Sequence, residues 1–177
     1  MEYLALGCQL VVALVFAVSV ASKLRGDRRE FVESTRKLMG ALLLSGRAST
    51  AAARLVAPVV VAAEAAVVVL LIPVPFVGLA LAGLLLTAFG VAIALALRRG
   101  VAAPCRCFGG SARLSGWHLV RNALLLGAVA AGLTLDPVPL GAAEAAGLAV
   151  TAGAALVAAV VVIRLEELGE LFGPRLS

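Results

Sequence analysis

Residues 52–97 read AARLVAPVVVAAEAAVVVLLIPVPFVGLALAGLLLTAFGVAIALAL, and this stretch decides the fold. Two apolar runs, 52–72 and 76–97, meet at Ile72-Pro73-Val74-Pro75-Phe76, and only Arg54 and Glu64 carry charge. Each run reaches the ~20 residues that take an α-helix across a hydrocarbon core about 30 Å thick. The proline-marked junction ends one helix and starts the next, because proline lacks the N–H that a helix interior needs. The stretch therefore predicts a transmembrane helical hairpin.

Three more runs of the same kind lie outward from it, at 3–22, 117–135 and 140–163, the last two joined by Asp136-Pro137-Val138-Pro139. Of the 177 residues, 63% are hydrophobic and 14% charged, against roughly 45–50% and about 25% in soluble domains. A soluble fold of this size cannot hide so much apolar surface, and disorder needs the opposite balance. Aromatic residues make up 5%. The apolar mass is thus Ala, Val, Leu and Gly, which suits helices packed through small residues rather than an aromatic-girdled β-barrel. The expected fold is all-α: one transmembrane domain over 1–177, with five spanning helices. A short interfacial helix is expected near 31–45, where Phe31, Leu38 and Leu42 recur at helical spacing around Arg36 and Lys37.

The charges orient this bundle. Seven of the fifteen basic residues lie from Lys23 to Arg47, and Arg54 opens the second run. Arg98, Arg99, Arg106 and Arg113 precede the fourth run, Arg121 lies just inside it, and Arg164 and Arg175 are in the tail. All fall on one side of a five-helix bundle, which predicts the N-terminus outside and the C-terminus in the cytoplasm. The net charge of +5 is thereby topogenic, with no call for nucleic acid. The first run has Glu2 before it and its basic flank after it, so it reads as a retained span and not a cleaved signal.

The chemistry concentrates in Pro104-Cys105-Arg106-Cys107-Phe108-Gly109-Gly110, ahead of the fourth run. Side chains two apart in extended chain point the same way. Cys105 and Cys107 can therefore close on each other or converge on one ion. A Cys-x-Cys disulfide is a strained ring, and strained disulfides are the reducible, catalytic kind. Arg106 between the thiols favours the reactive thiolate. Two thiolates do not complete a tetrahedral zinc site, but they suit a soft two-coordinate ion such as Cu(I). His118, the only histidine, is a candidate third ligand, or else pairs with Trp117 at headgroup level. The cofactors left open are copper or zinc at these residues, or a quinone.

Inside the apolar runs the ionisable exceptions are Glu64 and Arg121, the latter beside Asn122. A charge in the bilayer turns inward and finds a partner. Glu64 is expected to pair with Arg121, or with Lys23 at the inner end of the first helix. No Ser-His-Asp set or phosphate loop supports hydrolase or kinase chemistry. Whether the chain is an enzyme is left open.

Cys105-Arg106-Cys107-Phe108-Gly109, followed by Arg121-Asn122, resembles the methylamine-utilisation MauE family, which is similar to DoxX-like membrane proteins. Ser19-Val20-Ala21-Ser22-Lys23-Leu24 and Glu64 extend the resemblance, which covers roughly residues 4–135. It implies a redox-associated protein of a bacterial inner membrane, linked to maturation of methylamine dehydrogenase. Its implied partners are a thioredoxin-like protein or a disulfide-containing client. Soft-metal binding or transport, and a non-catalytic assembly role, are the alternative functions.

Overall fold

The structure, a computed structural model, describes residues 2–42, 49–100, 116–135, 144–165 and 167. Regular structure among these residues is helical: α1 (Glu2–Arg25), α2 (Arg28–Leu42), α3 (Thr50–Leu70), α4 (Pro75–Arg98), α5 (Gly116–Thr134) and α6 (Ala145–Ile163). In lipid no water satisfies an open backbone group, so an apolar segment closes its hydrogen bonds within itself as a helix.

Local signals set the helix ends. Ser49 caps α3, its Oγ accepting the Ala52 N–H at 3.0 Å, which satisfies a donor the helix start would otherwise leave open. Pro58 lies inside α3, where neighbouring helices make such a break tolerable in a membrane. Pro75 opens α4 at a position whose N–H has no helical partner anyway. Gly100, at φ +63°, ends α4 in the left-handed conformation that glycine adopts without strain.

Contacts between helices give their relative directions. Along α4 and α5, Gly90 lies against Asn122, Gly83 against Val129 and Leu79 against Gly132, an antiparallel register. Along α1 and α6, Tyr3 meets Gly147 and Gly7 meets Thr151, a parallel one. α1 packs against α3, α5 and α6, and Val12, Val15 and Phe16 join Val67, Leu79, Leu86 and Leu125 in the core. The outside is apolar too. Leu55, Val59, Ile72, Phe76, Leu84, Val150 and Val157 are all exposed, the surface of a bundle whose solvent is lipid tails.

Among the described residues four helices are long and apolar enough to cross a membrane: Tyr3–Arg25 of α1, α3, α4 and α6. α5 is not among them. Its first two turns hold His118, Arg121 and Asn122, all buried, so its polarity faces the bundle and not the lipid. The helix expected near 31–45 begins earlier, at Arg28, where Asp27 Oδ1 accepts the Arg29 N–H at 2.7 Å. It packs against α3 and α4 rather than lying alone at an interface; residues 43–45 are outside the described residues. The last span, expected from 140, begins at Ala145, and 140–143 are likewise outside. On α2, Arg36 forks onto Glu33 at 2.8 and 2.6 Å and holds that carboxyl below its usual range. Its stabilising effect is present at neutral pH and fades as pH falls through the lowered value. Both side chains are more than a third exposed, so the effect is small.

Glycines at close contacts test this packing. A Cβ at Gly78 would stand 2.8 Å from the backbone nitrogen of Leu71, whereas one at Gly127 meets nothing within 4 Å. Gly78→Ala is expected to destabilise the bundle by about 1–3 kcal/mol, and Gly127→Ala to leave it unchanged or slightly firmer. Thermal unfolding of the two variants in one detergent compares them directly; equal melting points would contradict the α3–α4 turn as described.

Candidate functional site

The last two turns of α1 place Ser19 and Lys23 one above the other on the same face, as residues four apart on a helix stand. That face meets Glu64 of α3. Lys23 Nζ donates to Glu64 Oε1 and, at 3.1 Å, to Ser19 Oγ. The Ser19 hydroxyl in turn donates to Glu64 Oε2 at 3.3 Å. Each carboxylate oxygen thus holds a donor. Ser22 Oγ ties back to the Ser19 carbonyl at 2.8 Å.

The pair is almost dry. The side chains of Lys23 and Glu64 are 3% and 2% exposed. The ammonium also lies 5.5 Å from the centre of the Phe31 ring and 5.6 Å from that of Phe89, within cation–π range. Phe31 comes from α2 and Phe89 from α4, so α2 helps enclose the charge.

Beside the pair lies a cavity of about 30 Å³, walled by Val15, Phe16, Ser19, Glu64, Leu86, Phe89, Ile93, Arg121, Asn122 and Leu125. Four helices contribute: α1, α3, α4 and α5. Gly90 on α4 lies beside Asn122, where a Cβ would stand 3.9 Å from Nδ2. Asn122 is 6% exposed, and its Nδ2 has no hydrogen-bond partner among the described residues. A buried donor left open costs roughly 1–3 kcal/mol, so this amide is a feature in need of an acceptor.

Of the site residues expected from sequence, Glu64, Arg121 and Asn122 line this one cavity, and Lys23 is paired with Glu64 at its edge. The ion pair described is Lys23–Glu64, with Arg121 in the same wall. His118 is 4% exposed, turned into the bundle and not to the headgroups. Among the described residues no three His, Cys, Asp or Glu side chains form a metal-binding group. Cys105, Arg106 and Cys107 lie outside the described residues. Cys8 is a half-buried free thiol on α1, about 16 Å along the helix from Ser19. Sequence reasoning missed Ser19 as a partner of Glu64, and Phe31 and Phe89 as covers of Lys23. The signal for Ser19 was its spacing of four from Lys23; none marks two rings that converge from separate helices.

Removing one partner of a buried pair strands the other's charge. Lys23→Met is expected to lower stability by about 3–5 kcal/mol, and Lys23→Met with Glu64→Leu to recover most of that loss. Denaturant unfolding in micelles measures both. A single variant as stable as the parent would mean that the pair is not buried.

Comparison with known proteins gives the family. The family model described as Methylamine utilisation protein MauE matches residues 1–135. No curated protein and no solved structure matches the chain. The matched span runs from α1 through the end of α5 and includes every residue of the cavity, with α6 beyond it. With most of its length matched and its apolar helices in place, the chain is a membrane protein that belongs to the MauE family.

Proposed function

We propose that this membrane protein exchanges thiols and disulfides with a partner protein through Cys105 and Cys107. One observation carries the reading. The segment 101–115, which holds both thiols, joins the end of α4 to the start of α5, and these two helices wall the buried polar cavity. Asn122 follows Gly116 by less than two helical turns, about 9 Å of rise. Cys107 precedes Arg121 by 14 residues, so the thiols are tethered to the helix that carries Arg121 and Asn122.

The step is balanced within the two proteins. A thiolate of Cys105 or Cys107 attacks a disulfide of the partner, forming a mixed disulfide and releasing one partner thiol. The second cysteine attacks the mixed bond. The chain is left with a Cys105–Cys107 disulfide and the partner with two thiols; the same path runs in reverse. Arg106 supports the thiolate, and the Lys23–Glu64 pair holds α1 against α3. Methylamine utilisation, the family's description, supports a client in methylamine oxidation, of which the resemblance implies the disulfide-rich methylamine dehydrogenase. The chain's charges favour a cytoplasmic face for the segment, in an inner membrane.

Maleimide trapping in native membranes tests the exchange. Cys105 and Cys107 are expected to be blocked before reduction and labelled after it, and Cys105→Ser with Cys107→Ser to abolish client maturation. Thiols that never change state, are shielded only when copper is present, or can be removed without loss of maturation overturn the exchange. A membrane-impermeant maleimide applied to intact cells is expected to miss both thiols while a permeant one reaches them; the reverse would invert the bundle.

A further inference from the structure

We propose that the cavity between α1, α3, α4 and α5 is the site of a resident water, which accepts from Asn122 Nδ2 on α5 and donates to the Glu64 carboxylate on α3. Size is the first constraint: a cavity of about 30 Å³ has room for one or two waters and for no larger molecule. Chemistry is the second. Asn122 is 6% exposed, and its amide nitrogen has no partner among the described residues, so the wall presents an open donor. Glu64 lines the same cavity as an acceptor. Its oxygens hold Lys23 and Ser19, and a carboxylate takes about four donors. A cation would suit Glu64 but meet the Asn122 N–H head on, and an anion would suit Asn122 but be repelled by Glu64. Water accepts on one side and donates on the other, and Ser19 in the wall adds a further polar atom.

The bridge has a structural task. Among the described residues α3 and α5 do not pack directly on each other, whereas both pack against α1 and α4. The cavity, walled by residues of all four, lies where α3 and α5 stay apart. The water carries a hydrogen-bonded link across that gap, from the Lys23–Glu64 pair to α5. Asn122 is thereby a positioning residue: it sets α5, the helix that follows Cys105 and Cys107, against the buried pair. The water site stands apart from the thiol-exchange reading, because no sulfur takes part in it.

Asn122 is the only asparagine in the chain, so a nitrogen label on asparagine side chains gives a single amide signal. In solid-state NMR of the labelled protein in lipid bilayers, magnetisation is expected to pass from water protons to that amide. Val15→Ile adds one methylene to the cavity wall and is expected to remove the transfer while the amide signal persists. Transfer that is absent in the parent, or unchanged in Val15→Ile, overturns the inference. Thermal unfolding in one detergent gives a second readout, by sign. Displacing a bridging water strands the amide, so Val15→Ile is expected to lower the melting temperature of the parent. In an Asn122→Leu background no donor is left to strand, and the same change fills a void. There it is expected to leave the melting temperature unchanged or raise it. An equal effect of Val15→Ile in the two backgrounds means that amide and cavity act independently, and overturns the bridge. The cysteine variant separates the two readings. Water transfer kept in Cys105→Ser with Cys107→Ser, with client maturation intact, keeps the water site and overturns the exchange. No transfer in the parent, with maturation lost in that variant, overturns the water site and keeps the exchange.

Discussion

The arrangement of this bundle depends on one ion pair that water cannot reach. Glu64 lies on an otherwise apolar stretch of α3, and a lone carboxylate there would face either lipid or packed side chains, both costly. Lys23 and Ser19 meet its two oxygens, and that geometry fixes the rotation and height of α1 against α3. The cover follows from the same need. α2 brings Phe31 and α4 brings Phe89 over the ammonium, so an amphipathic helix outside the spans becomes part of the internal structure. Desolvation makes the pair a modest source of net stability and a strong source of specificity, because any other register leaves a charge unmatched.

Much of this architecture was legible in the chain. The apolar runs, the Pro73–Pro75 turn and the amphipathic segment after α1 each follow from a local rule; the runs and the segment appear as helices, and the turn separates α3 from α4. The membership in the MauE family was legible from a few residues, Ser19 to Leu24, Glu64 and Arg121-Asn122 among them. What was not legible is rotational. Sequence names Glu64 as a charge needing a partner, yet both Lys23 and Arg121 could serve. The packing of α1 on α3 shows that Lys23 is one partner. The inward face of α5 is a similar case. His118, Arg121 and Asn122 make it look like a weak span in composition, and burial shows that the polarity is internal. Cys105 and Cys107, the sharpest motif in the sequence, lie outside the described residues, and their role rests on chemistry and connectivity.

The family match and the packing divide the bundle in the same place. Residues 1–135 carry α1 to α5 and the whole cavity. α6 lies along α1, meeting it through Gly7 and Gly147, with Ala155 and Ala159 as its buried residues. Small side chains let two helices approach closely in lipid, where no hydrophobic force drives them together. α6 thus supports the site helix from behind without lining the cavity.

The Lys23–Glu64 pair also carries a consequence for biogenesis. A ribosome delivers α1 to the membrane before α3, with Lys23 preceding Glu64 by 41 residues. An acidic residue at the middle of a helix raises its insertion free energy by about 2.5–3.5 kcal/mol. With α1 already in the bilayer, the nascent α3 finds a counter-ion at the depth where its own charge must come to rest. The order of synthesis thereby supplies the partner first, and the burden of inserting Glu64 falls on a membrane in which Lys23 is waiting.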